Sequence, residues 1–217
     1  MTELRTYLRS LPVFAGDLPV FDPADAPDRP DVLFRSWLVT AVQAGVREPH
    51  AMTMSTVGAD GVPSARVLIV KDVDDTGWQF AAHDASPKGR DLLARPAAAL
   101  TFYWPAQARQ VRVRGPVVPE PAERSAADFL ARPPGSRAEA SLGRQSQILH
   151  DPRDLEAATR QALRRIEEEP ALVVPEWTLY SLRAAEVEFW QGDARRKHIR
   201  LRYTRTGATW QRDALWP

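Results

Sequence analysis

The stretch EFWQGDARRKHIRLRY, from Glu188 to Tyr203, gathers Arg195, Arg196, Lys197, His198, Arg200 and Arg202 directly behind Phe189 and Trp190. Guanidinium and imidazole donors beside a flat aromatic surface suit an anionic or aromatic ligand; an Arg-rich solvated strand would look the same. A second candidate is HDASPKGRDLL, His83 to Leu93. Ser86 is a good N-cap, Pro87 fits a first helical turn, and Lys88 adds a full charge where free N–H groups already attract anions. A cation there is normally disfavoured, so it is either tolerated at small cost or compensated by a bound anion. The third candidate is SARVLIVKD, in which Arg66 and Lys71 flank Val67, Leu68, Ile69 and Val70. Five positions apart, the two cations leave an ideal strand on opposite faces. GRQSQIL adds Gln145 and Ser146 as neutral donors near Arg144.

Composition limits what these residues serve. The 217 residues fit one domain able to bury a core. With 29 basic and 28 acidic residues the net charge is +1, without the overall basic excess usual in nucleic-acid binders. There is no cysteine, which excludes disulfides, thiol catalysis and Cys-based metal sites. His50, His83, His150 and His198 lack metal-ligand spacing, so no metal is expected. P-loop, Rossmann and nucleophile-elbow motifs are missing. MTELRTYLRSLPVF holds no apolar run long enough for a leader or a span, so a soluble cytoplasmic protein is expected. Of the 29 basic residues only Lys71, Lys88 and Lys197 are lysines. In a chain so biased toward Arg, a retained compact ammonium points to a task a guanidinium does poorly.

The elements that must position these groups are mostly strands. Residues 1–30, rich in Pro and Asp, read as an irregular N-terminal arm, and residues 31–217 as one domain. DVLFRSWLVTAVQAGV reads as a helix capped by Asp31 and stopped near Gly45, burying Val32, Leu33, Trp37, Leu38, Ala41 and Val42. AMTMSTV, SARVLIVKDV, WQFAA, AAALTFYW and RQVRVRGPVV read as strands, with turns at Ala59-Asp60-Gly61 and Asp74-Asp75-Thr76-Gly77. In the last of them Gln110, Arg112 and Arg114 alternate with Val111 and Val113. Helices are expected from Ser86, over about Pro121 to Ala131, and from the Asp151 cap, the last burying Leu155, Ala158, Leu163 and Ile166. Strands return at WTLYSL, VEFW, HIRLRYTR and ATWQR. The fold class is α+β, mainly β, an antiparallel barrel or sandwich with flanking helices.

In order and spacing, RVLIVK, SPKGR, FYW with RQVRVRG, ARPPGS, RQSQ, and EFWQG followed by R-K-H resemble the pyridoxine/pyridoxamine 5'-phosphate oxidase family from about Asp31 to Pro217. The resemblance implies a split β-barrel homodimer with FMN in a groove between subunits. It implies that Arg66, Lys88, Gln145 and Ser146 hold the flavin phosphate and ribityl end, with Val67, Leu68, Ile69, Val70, Lys71, Ala81 and Ala82 also at the cofactor. Gln110 would reach the isoalloxazine, and Trp190 and Arg200 would come from the partner subunit. Lys71, Arg132 and Ser136 would grip a substrate phosphate, and Arg196 and His198, the catalytic candidates, would lie over the pyridine ring. The implied reaction oxidises a phosphorylated B6 vitamer with O2, at neither a membrane nor a nucleic acid.

Three departures stand out. Pro87 occupies a position where the family carries Arg, removing one charge from the flavin phosphate site. Asp128 stands where the family places a tyrosine near the substrate phosphate. Trp177-Thr178-Leu179-Tyr180 replaces a W-G-G-[YF] motif. Phenazine-biosynthesis oxidases, which share the flavin fold and relax the first two positions, supply a second expectation, and a non-catalytic flavin or pyridoxal phosphate binder a third.

Overall fold

The computed structural model describes residues 3–14 and 16–217, which form ten strands and six α-helices among the described residues. Two compact units divide the chain: Met1–Thr53, Leu100–Val113 and Ala185–Pro217 make the first, Met54–Ala99 and Arg114–Ala184 the second. Strands β1 (Ala51–Val57), β5 (Ala97–Trp104) and β6 (Arg109–Pro119) contribute residues to both.

In the first unit, β8 (Glu186–Gln191), β9 (Ile199–Thr206) and β10 (Thr209–Ala214) extend the path β10-β9-β8-β6-β5. The antiparallel register sets Trp190 opposite Arg200 and Glu188 opposite Arg202. Helix α2 (Pro30–Gln43) supplies the apolar face that covers them. Trp37 meets Phe21 and Phe189 edge-on at 5.0 and 5.1 Å, and Phe34 packs on Phe102 at 4.7 Å. Tyr203, also against Phe189, donates its hydroxyl to the Pro27 carbonyl at 2.7 Å, pinning the lead-in to α2. That lead-in has regular structure of its own: α1 (Leu4–Ser10) and a 3-10 turn at Pro23–Asp25.

Helix α2 corrects two expectations. It starts one residue early, at Pro30, and Asp31 lies inside its first turn, accepting from Arg29 instead of capping. Its buried face holds Leu33, Phe34, Trp37 and Ala41, whereas Val32 and Val42 are 46% and 59% exposed. At about 100° per residue, both valines lie about 140° around the helix from Trp37, off the stripe that Phe34 joins.

In the second unit, β2 (Pro63–Ile69) ends the path β5-β1-β2, and β3 (Asp72–Val73), β4 (Trp78–His83) and β7 (Trp177–Leu182) form the path β3-β4-β7-β6. The single strand expected over SARVLIVKDV is broken after Ile69, where the Lys71 N–H turns to donate to the Gln79 carbonyl. Helices α3 (Pro87–Ala94), α4 (Ala122–Leu130) and α6 (Pro152–Glu168) match expectation, and α5 (Pro134–Ser141) is additional. Of the expected α6 stripe Ile166 is buried, while Leu155 is exposed and opens on the cavity described below. Phe80 stacks on Tyr180 at 5.7 Å across β4 and β7, and Phe129 of α4 is fully buried.

Chemical denaturation distinguishes the two faces of α2. Phe34→Ala should cost about 3–5 kcal/mol, the price of emptying a 0% exposed aromatic site. Val42→Ser should stay within about 0.5 kcal/mol.

Candidate functional site

The second unit contains a cavity of about 320 Å³ lined by Leu68, Ala81, Ala82, Lys88, Arg132 and Gln145 among others. All six belong to the residues singled out in the sequence. The start of α3 delivers Lys88: the Ser86 hydroxyl accepts from the Gly89 N–H, and a Cβ on Gly89 would lie 2.4 Å from the Asp84 carbonyl. Only glycine lets the helix start so close to the end of β4. Lys88 is 6% exposed, and its ammonium donates to Gln145 Oε1 at 2.6 Å and Ser86 Oγ at 3.3 Å, both neutral acceptors. Burial lowers its pKa and the nearby Arg66 charge lowers it further, against an opposing pull from Glu139. Arg66 bonds Thr56 and Ser64 at 2.6 and 2.7 Å and approaches the Asp91 carboxylate at 3.8 Å. This is a cationic corner rich in donors, whose chemistry suits an anion.

A second cluster adjoins it in the same unit. Arg132 lies over the Trp177 ring, its Cζ 4.1 Å from the centroid, and its Nη1 is buried without a hydrogen-bond partner. Trp177 donates its indole N–H to Asp128 Oδ2 at 2.9 Å, and Asp128 Oδ1 lies 3.2 Å from the Lys71 ammonium. Desolvation lowers the Arg132 pKa, with Glu139 and Asp128 opposing. Ser136 sits half-buried in the first turn of α5 and does not line the cavity. Ser146 is exposed at φ 67°, Val70 is buried, and Val67 and Ile69 are exposed on the terminal strand β2.

The remaining candidates belong to the first unit. His198 Nδ1 accepts from the Asp193 N–H at 3.1 Å, which leaves the imidazole proton on Nε2. Arg196 sits at φ 66°, a left-handed conformation rare for a side-chain-bearing residue. Phe14 of the N-terminal arm lies 5.4 Å from the His198 ring, 5.7 Å from Trp190, and under the Arg196 guanidinium at 5.7 Å. Gly192 makes room, since a Cβ there would come within 2.9 Å of both Phe14 and Trp190. Arg200 grips Glu188 with Nε at 2.9 Å and Nη2 at 3.1 Å, and Arg112 holds the same carboxylate. Gln110 is half-buried beside them on β6.

Thus the candidates fall into two sets, one in each unit. Sequence reasoning did not assign Phe14, whose apolar arm segment carries no chemical signature, or the cavity residues His83, Glu139 and Trp177. His83 has its Nδ1 accepting from the Ala85 N–H at 3.2 Å, with Nε2 toward Gly143. Its position three residues before the cap Ser86 was the available signal. Of the three lysines, Lys71 and Lys88 stand in these clusters, and Lys197 is exposed.

Comparison with known proteins assigns the chain to a family. Residues 38–166 match the family described as Pyridoxamine 5'-phosphate oxidase, and residues 177–217 the Pyridoxine 5'-phosphate oxidase C-terminal dimerisation region. The chain is 44% identical to the pyridoxine/pyridoxamine 5'-phosphate oxidase of Thermosynechococcus vestitus, over 89% of this chain and 92% of that protein. The corresponding Pseudomonas paraeruginosa protein is 40% identical over 89% and 91%. The crystal structure of PhzG from Burkholderia lata, in complex with tetrahydrophenazine-1-carboxylic acid, superposes with a TM-score of 0.84 at 33% identity, covering 93% of this chain and all of that one. The fold and these matches define a flavin-dependent oxidoreductase of the split β-barrel class. Within that class the chain belongs to the pyridoxamine 5'-phosphate oxidase family. The residues fit FMN: Lys88 would meet its phosphate, with the Arg66 charge nearby, and Leu68, Ala81 and Ala82 offer apolar walls.

The Glu188 clamp has a pH signature. Burial alone would raise this carboxyl, but hydrogen bonds from Arg200 and Arg112 outweigh it and hold the pKa below the ordinary 4.5. A carboxylate depressed on folding stabilises fully above its unfolded pKa, and that stability is lost as pH falls through the folded value. Denaturation curves of the wild type and Glu188→Gln should therefore differ by a constant amount above about pH 5.5 and converge as pH drops below 4.5.

Proposed function

We propose that this protein is an FMN-dependent oxidase that converts pyridoxine 5'-phosphate or pyridoxamine 5'-phosphate to pyridoxal 5'-phosphate, reducing O2 to H2O2. The observation that carries the reading is that Lys88 and Arg132, two cations with no carboxylate at hydrogen-bonding distance among the described residues, line one cavity. A cofactor and a substrate that each end in phosphate would use both. When bound, FMN supplies a two-electron acceptor that O2 regenerates.

The chain's own residues bind and orient. Arg66, Lys88, Gln145 and Ser146 hold the flavin phosphate; Val67 to Lys71, Ala81 and Ala82 border the cofactor; and Gln110 reaches its ring system. Lys71, Arg132 and Ser136 hold the substrate phosphate, so that binding energy remote from the reacting C4' carbon orients it. Arg196 and His198 lie over the pyridine ring and favour the charge that develops there. C4' gives up two electrons and a proton, and its hydroxyl or amine gives up a second proton, which together account for the reduction of O2 to H2O2; with the amine substrate the resulting imine takes up water and releases ammonia. The enzyme works as a cytoplasmic homodimer in which Trp190 and Arg200 come from the partner subunit. In support, the C-terminal match is to a dimerisation region, and β2 exposes Val67 and Ile69 at the end of its strand path. Among the described residues no helix is long and apolar enough to cross a membrane.

A second reading, oxidation of a carboxylated aromatic compound, draws on the PhzG likeness and on a carboxylate, Asp128, already seated on Lys71. FMN-loaded protein mixed anaerobically with pyridoxine 5'-phosphate should lose its visible flavin absorbance and regain it in air, with peroxide formed. Absorbance that persists with this substrate but bleaches with tetrahydrophenazine-1-carboxylic acid would favour the second reading, and no bleaching with either would leave a binding protein. Arg132→Ala should raise KM for the phosphorylated substrate at least about tenfold, since a charge-assisted contact contributes roughly 1.5–3 kcal/mol. Replacing Arg196 with Ala should instead depress kcat.

A further inference from the structure

We infer that Asp128 is a specificity-determining residue: an internal anion that occupies Lys71 and competes with the anionic head of the substrate. The inference rests on the reading that Lys71 and Arg132 hold that head. The geometry is a chain of four side chains within the second unit. Lys71 lies 3.2 Å from Asp128 Oδ1, Trp177 donates to Asp128 Oδ2 at 2.9 Å, and Arg132 lies over the Trp177 ring at 4.1 Å. Asp128, on α4, is 14% exposed in its side chain, and its two oxygens are engaged on two sides, one by a cation and one by a neutral donor. That neutral donor fixes the carboxylate in place, so Asp128 is not a flexible surface acid that swings away when a ligand arrives.

The consequence is a matter of charge. Without Asp128, Lys71 and Arg132 would offer two positive charges to a ligand. With it, the net charge of the three is one, and a ligand that reaches the ammonium meets the carboxylate as well. Arg132 has no such competitor in hydrogen-bonding contact: its Nη1 is buried without a partner, so this cation is the one left ready to receive an anion. A singly charged head is matched by this arrangement. A phosphate dianion gains Arg132 but meets Asp128 at Lys71, and part of its attraction is offset by like-charge repulsion. Asp128 thereby narrows the advantage that a phosphorylated ligand has over its unphosphorylated counterpart.

The test uses FMN-loaded protein and two ligands that lack the oxidisable 4' group, 4-deoxypyridoxine 5'-phosphate and 4-deoxypyridoxine, titrated calorimetrically at pH 8, where the phosphate is a dianion. Asp128→Asn removes the charge and keeps a carbonyl to accept from Trp177. It should tighten the phosphorylated ligand about five- to tenfold and leave the unphosphorylated one unchanged; in a Lys71→Met background, where only the like-charge repulsion is left to relieve, the gain should shrink. Asp128→Ser gives the same comparison if the Asn variant does not fold. Equal or weaker binding of the phosphorylated ligand by both variants overturns the role of Asp128. If wild type still oxidises pyridoxine 5'-phosphate, that result leaves the proposed function standing. Failure of wild type and variants to bind either ligand overturns the B6 reading and this inference together.

Discussion

An ammonium group taken out of water and given only neutral acceptors is the constraint around which the second unit is organised. Lys88 is 6% exposed, bonded to an amide oxygen and a hydroxyl, and repelled by the nearby guanidinium of Arg66. Burying a charge is costly unless an opposite charge answers it. Arg66 is partly answered by Asp91 through Thr56, which donates to the same carboxylate at 2.6 Å; Lys88 is answered by no carboxylate at bonding distance among the described residues. The phosphate that the proposed function brings there would relieve that imbalance. The fold supports this state with Gly89, which brings the α3 start against backbone carbonyls, and with the Ser86 cap, which serves helix and lysine at once.

The first unit solves the opposite problem. There a buried carboxylate, Glu188, has two arginines, and the clamp fixes Arg200 across from Trp190 on the neighbouring strand. Fixing these long side chains in advance removes much of the entropy a ligand would otherwise have to offset. Phe14 covers His198, Trp190 and Arg196, so the aromatic end of the cluster is packed by the arm that precedes α2. One unit therefore holds positive charge that no carboxylate answers at bonding distance, and the other an ordered cluster of aromatic and guanidinium groups.

How much of this was legible in the sequence depends on the range of the interaction. Strands with strict alternation, such as β6, were readable because period 2 is a local signal. The caps Ser86 and Asp151 were readable because each bonds an N–H two or three residues on. Helix α5 was not, since its Pro-Pro-Gly opening reads as a turn, and neither was the break between β2 and β3, which depends on Lys71 pairing with Gln79. Motif order located Lys88, Arg66 and Gln145. The Asp128–Trp177–Arg132 connection spans residues up to 49 positions apart, and only the folded chain brings it together.

The central claim is that the two residue sets serve one flavin across a homodimer. Its most direct test is FMN binding by a purified mixed dimer of one Lys88→Ala chain and one Trp190→Ala chain. Each mutant homodimer should bind FMN weakly, while the mixed dimer should retain one tight site per dimer, because one of its two sites then receives both intact residues. A mixed dimer with no tight site would contradict the account.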